Sequence, residues 1–251
     1  ALVYTTSRDR KLALIAEYLR AALDPCRGWA MAALTESLDF SGVKSSTVKA
    51  LMMERVDPLL WQLSRDFVGD TAETASLLWP EPETQAPQHP LTLSEVVERL
   101  SALTRASTPK ELPALLDRLD VKGRFALIKL ATGGMRIGVS ARLAKVGFAQ
   151  AFGVNVEEVE EYWHALQPPY AELFDWATGG PAPDLAGKAR FRPFMLAHPL
   201  EDGEVDLQDY AAEWKWDGIR VQAVALGGER RLYPLLQGTA AAGLPLLSAV
   251  A

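Results

Sequence analysis

The sequence predicts a multidomain protein in which a mainly α-helical N-terminal domain precedes a partial α+β domain. Amphipathic helical spacing recurs through about the first 175 residues, with no convincing alternating strand. A Gly- and Pro-rich stretch, TGGPAPDLAGKARFRPFMLAHPL, then interrupts the apolar positions near residue 180. Two alternating segments follow, joined by a Gly-Gly turn. We therefore assign residues 1–180 to the first domain and residues 181–251 to a second, incomplete one.

The helical half can be divided by its apolar stripes and start signals. The segment KLALIAEYLRAAL, residues 11–23, predicts one amphipathic helix, with Leu12, Ile15, Leu19 and Leu23 on one stripe. Three further helix starts carry an N-cap residue with an acid three positions on: Thr92 with Glu95, Thr108 with Glu111, and Asn155 with Glu158. The segment EPETQAPQHP has three prolines and is predicted to be a linker.

Composition excludes several classes of protein. The net charge of -6 means that any contact with nucleic acid must come from a local basic patch. The single Cys26 cannot form an internal disulfide, and the three histidines, His89, His164 and His198, lack metal-ligand spacing. No apolar run is long enough for a membrane span, and the amino end has no signal-peptide pattern. We expect a cytoplasmic, nucleoid-associated monomer without a membrane contact or a protein-held metal.

The first alternating segment contains EWKWDGIR, which places a lysine two residues before an Asp-Gly turn. In an extended strand, Glu213 and Lys215 share one face, and Trp214 and Trp216 share the other. A lysine held in this way can act as a nucleophile if its pKa is lowered by burial or by nearby positive charge. The alternative is that Lys215 is an ordinary exposed strand residue.

EWKWDGIRVQ resembles the KxDG nucleotidyltransferase motif of ATP-dependent DNA ligases. The resemblance implies that the second domain is the start of the adenylation domain and that Lys215 attacks the α-phosphate of ATP, giving lysyl-AMP with Mg²⁺ as the metal. It also implies that Glu213 binds the adenine amino group and that Arg220 contacts the ribose. The AMP would pass to the 5′-phosphate of a nick. Upstream, RPFMLAHPL resembles the family segment that lines the adenine pocket.

A second motif, ATGGMRIGVSARL, combines glycines and arginines just before a predicted helix. Glycines allow close approach of the backbone, and a helix start favours anions, so phosphate is the expected partner. A plain turn with solvated arginines is the alternative. The longer stretch FALIKLATGGMRIGVSARLAKVGFAQAF is similar to the helical DNA-binding domain of these ligases. That similarity implies contacts with nicked double-stranded DNA from Gly133, Gly134, Arg136, Gly138 and Arg142, with Lys129 and Lys145 as outer candidates.

The resemblance covers about residues 1–233. After Tyr233 the sequence lacks the arginine, the metal-binding acids, the stacking aromatic, the late lysines and the OB-fold that the family would supply. We therefore expect missing segments and little activity from this chain alone. Asp66 and Asp70 could hold a cation or form a solvated helix end.

Three functions remain open at this point. The first is an ATP-dependent DNA ligase acting in DNA repair, replication or recombination. The second is a non-catalytic DNA-binding fragment, and the third is an RNA ligase or capping-type nucleotidyltransferase. The long helical N-terminal domain argues against the third. An NAD-dependent ligase is disfavoured because nothing before the lysine resembles a nicotinamide-binding domain.

Overall fold

The computed structural model describes residues 1–82, 89–133, 135, 137–188, 191–192, 221–226, 228–234 and 244–245. Within these ranges eleven α-helices precede three short strands. The helices are α1 Arg8–Ala21, α2 Cys26–Leu34, α3 Ser45–Arg55, α4 Pro58–Val68, α5 Thr71–Leu78, α6 Leu93–Ala102, α7 Thr108–Leu116, α8 Val121–Ala131, α9 Ala141–Phe152, α10 Val156–Trp163 and α11 Ala171–Ala177. The mainly helical character predicted for the N-terminal part is confirmed. Six of the ten linker residues, 83–88, lie outside the described ranges.

Polar N-cap side chains start most of these helices, and one predicted capping box is confirmed. The Glu95 amide donates to the Thr92 hydroxyl at 3.2 Å, and the Thr92 amide donates to the Glu95 carboxylate at 2.8 Å. The box predicted at Thr108 is wrong, because Thr108 is already the first residue of α7. Its hydroxyl instead donates to the Thr104 carbonyl at 2.6 Å and the Gly42 carbonyl at 3.0 Å. At α10, Asn155 caps the amide of Glu157 rather than that of Glu158.

The helices enclose two apolar cores. The first is built mainly by α3 to α8 and includes the fully buried side chains of Trp61, Leu100 and Leu112. The second is built by α1, α2, α9, α10 and α11, around side chains such as Phe148 and Phe174. Trp29 and Leu38 pack against both cores, so the two groups of helices are in contact through apolar side chains.

Helices α1 and α9 approach each other closely within the second core. A Cβ added to Gly147 of α9 would lie 2.7 Å from Cγ2 of Ile15 on α1, so this approach requires glycine. Leu12, Ile15 and Leu19 are buried, as their spacing predicts. The prediction for Leu23 is wrong. Since α1 ends at Ala21 and Ala22 turns to extended backbone, Leu23 leaves the stripe and is 81% exposed.

The predicted β-hairpin is confirmed over residues 221–226 and 229–234, and the first part of its predicted first strand lies outside the described residues. Strand β1 (Val221–Leu226) pairs antiparallel with β2 (Glu229–Pro234) in the register Leu226↔Glu229, so two glycines connect them. A short β3 (Leu244–Pro245) pairs with the other edge of β2. Gln222 and Val224 form the less exposed face of β1, whereas Val221 is 52% exposed. The apolar alternation therefore located the strand but not its buried face.

Candidate nucleic-acid interface

The glycine-rich segment forms the connection between α8 and α9. It leaves α8 at Ala131 and enters α9 through Ser140, whose hydroxyl accepts a hydrogen bond from the Leu143 amide at 3.1 Å. Gly133 and Gly138 have φ values of 69° and 70°, a left-handed conformation that favours glycine. The structure therefore explains these two glycines by backbone conformation. Gly134 and Arg136, also predicted to contact DNA, lie outside the described residues.

The connection is tied to helix α1 by a contact that the sequence analysis missed. The Lys11 ammonium donates a hydrogen bond to the carbonyl oxygen of Gly138 at 2.7 Å, across 127 positions of sequence. A Cβ on Gly138 would lie 2.6 Å from the Lys11 Nζ atom. The left-handed φ is the reason for glycine at this position, because the Lys11 Nζ atom is the end of a flexible side chain that can move away from a Cβ. The amphipathic stripe of α1 predicted a buried face, but it did not predict that Lys11 binds the Gly138 carbonyl.

Arg142 is exposed on the first turn of α9. A helix N-terminus carries partial positive charge, so a cation there does not stabilise the helix itself. The combination of exposed N–H groups and an arginine is instead favourable for an anion. Burial lowers the pKa of the neighbouring Lys145, and the positive charge of Arg142 lowers it further.

Two outer candidates, Lys145 and Lys129, have carboxylate partners within the helical fold. Lys145 is 8% exposed, and its Nζ lies 3.7 Å from the Glu160 carboxylate. Burial lowers the pKa of Lys145, opposed by Glu160. Lys129 forms an ion pair with Asp70. Burial alone would raise the pKa of Asp70, but hydrogen bonds from Lys129 and from the Glu73 amide outweigh it and lower that pKa.

The two acids proposed as cation ligands have roles in helices α4 and α5. Asp70 is the N-cap of α5 and accepts from the Glu73 amide at 2.9 Å. Asp66 accepts from the Gln62 amide group at 3.0 Å. Within the described ranges, no group of three or more His, Cys, Asp or Glu side chains could hold a metal ion. In the same ranges no helix has the length and apolar character needed to cross a membrane.

The predicted nucleotide-binding residues Glu213, Lys215 and Arg220 lie outside the described residues. The residues on either side of that stretch are joined to each other. The Arg192 amide donates to the Gln222 side-chain oxygen at 2.7 Å, and the Gln222 amide group donates to the Arg192 carbonyl at 3.0 Å. Arg192 and Gln222 are therefore hydrogen-bonded neighbours in the described structure.

Residues close to this pair of hydrogen bonds contact helix α10 and the residue that follows it. The ring of His164, just after α10, lies 4.5 Å from that of Phe191 and 5.2 Å from that of Tyr233, and the latter two are 5.6 Å apart. The Arg192 guanidinium pairs with Glu161 of α10 at 2.6 Å. Burial is the main reason that the pKa of His164 is lowered to about 3, and the positive charges of Lys145 and Arg231 lower it further. His164 is therefore neutral in the folded protein at neutral pH.

Together, these features define a mainly helical N-terminal module with a glycine-rich, arginine-bearing loop before a helix, followed by a docked β-hairpin. The model of the family described as DNA ligase N terminus matches residues 2–149, which include helices α1 to α8 and most of α9. The chain belongs to that family. This confirms the resemblance to the N-terminal region of an ATP-dependent DNA ligase.

Individual relatives agree with the family match. The chain is 29% identical over 183 residues to DNA ligase 1 of Korarchaeum cryptofilum, covering 66% of this chain and 32% of the relative. It is 33% identical over 153 residues to a probable DNA ligase of an Anaeromyxobacter species, covering 55% of this chain and 28% of the relative. A probable DNA ligase of Koribacter versatilis is 25% identical over 253 residues, 89% of this chain and 41% of the relative. The chain thus spans about a third of the length of these relatives.

Proposed function

We propose that this chain provides the DNA-binding module and the start of the nucleotide-binding domain of an ATP-dependent DNA ligase, which seals nicks in duplex DNA. The observation that carries the proposal is the match to the DNA ligase N terminus over residues 2–149, since it includes the whole segment from Gly133 to Arg142. The relatives matched by this chain are named as DNA ligases.

The loop before α9 is the proposed contact with the DNA backbone. Gly133 and Gly138, with Gly134 between them, allow the chain to approach a phosphate closely, and Arg142 with Arg136 supplies positive charge. Contacts of this kind fix the position of a protein on a duplex without reading its sequence. That property suits an enzyme that must act at nicks in any sequence.

Salt-dependent binding tests this proposal. The 251-residue chain should bind a nicked duplex, and each neutralised phosphate contributes about 0.9 to the slope of log K against log salt. Arg142→Met should weaken binding equally on different sequences and reduce the slope by about one. Arg105→Met, which removes an exposed arginine outside the loop, is the matched control. Absence of salt-dependent binding by the unaltered chain would rule out the DNA-binding assignment.

Lys215 is the proposed nucleophile of the ligase. Its uncharged amine would attack the α-phosphorus of ATP, forming a P–N bond and releasing pyrophosphate. The 5′-phosphate of the nick would then take the AMP and free the amine, and the 3′-hydroxyl would displace AMP to form the phosphodiester. Glu213 would bind the adenine amino group and Arg220 the ribose. Mg²⁺ would offset negative charge on the phosphates.

Adenylate transfer tests the catalytic part. In the ligase that carries this N-terminal region, Lys215→Ala should abolish label transfer from α-labelled ATP to the protein. Lys122→Ala, which changes an exposed lysine of α8, should leave the labelling intact. We expect the 251-residue chain alone to take up little label. Robust labelling that persists in Lys215→Ala would exclude this lysine as the nucleophile.

The binding data also separate the alternatives. If this chain acts only as a DNA-binding module, its affinity for nicked duplex is unchanged in Lys215→Ala. Preference for RNA ends over nicked DNA in a direct competition would favour an RNA ligase or capping-type enzyme. The family match over residues 2–149 supports DNA as the substrate.

A further inference from the structure

We propose that Lys11 is a positioning residue for the DNA-binding loop: its ammonium holds the Gly138 carbonyl and so sets how the loop enters helix α9. The proposal deepens the DNA-binding role given above and rests on it. Lys11 lies on α1, far in sequence from the motif that suggested the DNA contact. No contact between Lys11 and DNA is required for this role.

The position of the Lys11 side chain is set by the α1–α9 pair. Lys11 is one helical turn before Ile15, so the two share a face of α1. Ile15 packs directly on Gly147 of α9, at a distance that leaves no room for a Cβ. The helix pair therefore places the Lys11 ammonium at the start of α9. There it reaches the Gly138 carbonyl at 2.7 Å.

Gly138 is the residue through which the hydrogen bond from Lys11 constrains the conformation of the loop. It lies two residues before the N-cap Ser140 and four before Arg142, and its φ of 70° makes the chain change direction there. A hydrogen bond to a charged group is stronger than one between neutral groups. Because the contact is exposed to solvent, it adds little to global stability. Its loss should therefore change DNA binding more than folding.

Matched variants of α1 test the role. Lys11→Met removes the donor, whereas Arg10→Met removes the same charge from the adjacent exposed position. Lys11→Arg restores a charged donor. Each variant of the 251-residue chain is titrated with nicked duplex at one fixed salt concentration, and its melting temperature is measured. Hydrogen exchange of residues 133–139 without DNA reports directly on the loop.

We expect Lys11→Met to weaken binding about fivefold, the upper end for the loss of a solvent-exposed charged contact. Arg10→Met should weaken binding less than about threefold, and Lys11→Arg should recover most of the affinity. Loop amides should exchange faster in Lys11→Met alone, with melting unchanged.

Two results would overturn the role of Lys11 while leaving the DNA-binding function in place. One is equal weakening by Lys11→Met and Arg10→Met, which would mean that only net charge matters. The other is unchanged exchange of the loop amides in Lys11→Met. A lack of DNA binding by the unaltered chain would instead overturn the proposed function together with this inference.

Discussion

The ring of His164 on the helical side lies 5.2 Å from the ring of Tyr233 on strand β2, and both rings are packed against Phe191. Tyr233 is 1% exposed, so it is as buried as a core residue although it belongs to a short hairpin. The Arg231 guanidinium adds a hydrogen bond to the His164 carbonyl at 3.4 Å. The hairpin is thus docked on the helical part by its second strand.

His164 makes stability depend on pH. In the unfolded chain its pKa is near 6.5, whereas burial, Lys145 and Arg231 lower the folded pKa to about 3. The unfolded state therefore binds the extra proton first, and the stabilisation present above pH 6.5 is lost as the pH falls towards 3. Relative to His164→Gln, the wild-type free energy of unfolding should drop by about 3 kcal/mol between pH 7 and pH 4.

Urea denaturation of both proteins across this pH range checks the prediction. The difference between them is the informative quantity, because carboxylates become protonated and less stabilising over the same range in both. A wild-type curve parallel to that of His164→Gln would show that His164 titrates in the folded protein as it does in the unfolded chain.

Tyr233→Ala should release the hairpin without unfolding the helices. The substitution removes the buried aromatic ring through which β2 packs on the His164–Phe191 pair, a loss of about 3 kcal/mol. Amide exchange in residues 221–226 and 229–234 should accelerate, while that of α3 to α8 stays constant. Tyr233→Phe keeps the ring packing and should have a smaller effect. Equal acceleration throughout the helices would show one cooperative unit instead.

Local pattern predicted much of the fold, and distant contacts account for most of what it missed. The stripe of Leu12, Ile15 and Leu19 identified α1 because helical periodicity is a property of one segment. The contact of Lys11 with Gly138 joins segments that only the packing of α1 on α9 brings together. The surroundings of Lys145 likewise depend on contacts between segments that are distant in sequence. The resemblance to the ligase DNA-binding domain implied a phosphate contact for this lysine, but the structure buries it beside Glu160.

Helix boundaries show a second physical limit. Thr108 and Thr92 are each followed three residues later by glutamate, yet only Thr92 forms the capping box. Ser107 and Thr104 bond to each other just before α7, and Thr108 is fully buried with its hydroxyl on Gly42. The Thr108 hydroxyl is therefore used in a tertiary hydrogen bond to the Gly42 carbonyl and does not cap helix α7.

Arg124→Met should destabilise the first core. Arg124 is 1% exposed, its Nε donates to the Leu116 carbonyl at 3.0 Å, and its two terminal nitrogens bond Glu81 at 2.8 and 3.2 Å. Methionine fills part of the volume, but the bonds to Glu81 are lost and the Leu116 carbonyl keeps only the Leu119 amide as a donor, so we expect a loss of about 1–2 kcal/mol. The free energy of unfolding in urea measures it. Lys122→Met, on an exposed position of the same helix, should change stability by less than about 0.5 kcal/mol.

Gly28→Ala should destabilise the junction between α2 and the turn before α11. A Cβ at Gly28 would lie 1.8 Å from the Pro169 carbonyl oxygen and 2.7 Å from its carbon, so backbone must move. We expect a loss of about 2–3 kcal/mol, which exceeds the helix propensity that alanine gains. Gly123→Ala is the matched control, because Gly123 also occupies the third position of its helix, α8.

The nearest atoms to a Cβ at Gly123 are side-chain atoms of Leu119 and Asp120 at 3.0 to 3.2 Å, which can shift slightly. Gly123→Ala should therefore change the free energy of unfolding by less than about 0.5 kcal/mol, since improved helix propensity offsets mild crowding. Urea denaturation of the two variants side by side gives the comparison. If the Gly28→Ala and Gly123→Ala variants have equal free energies of unfolding, Pro169 does not lie against Gly28 in solution.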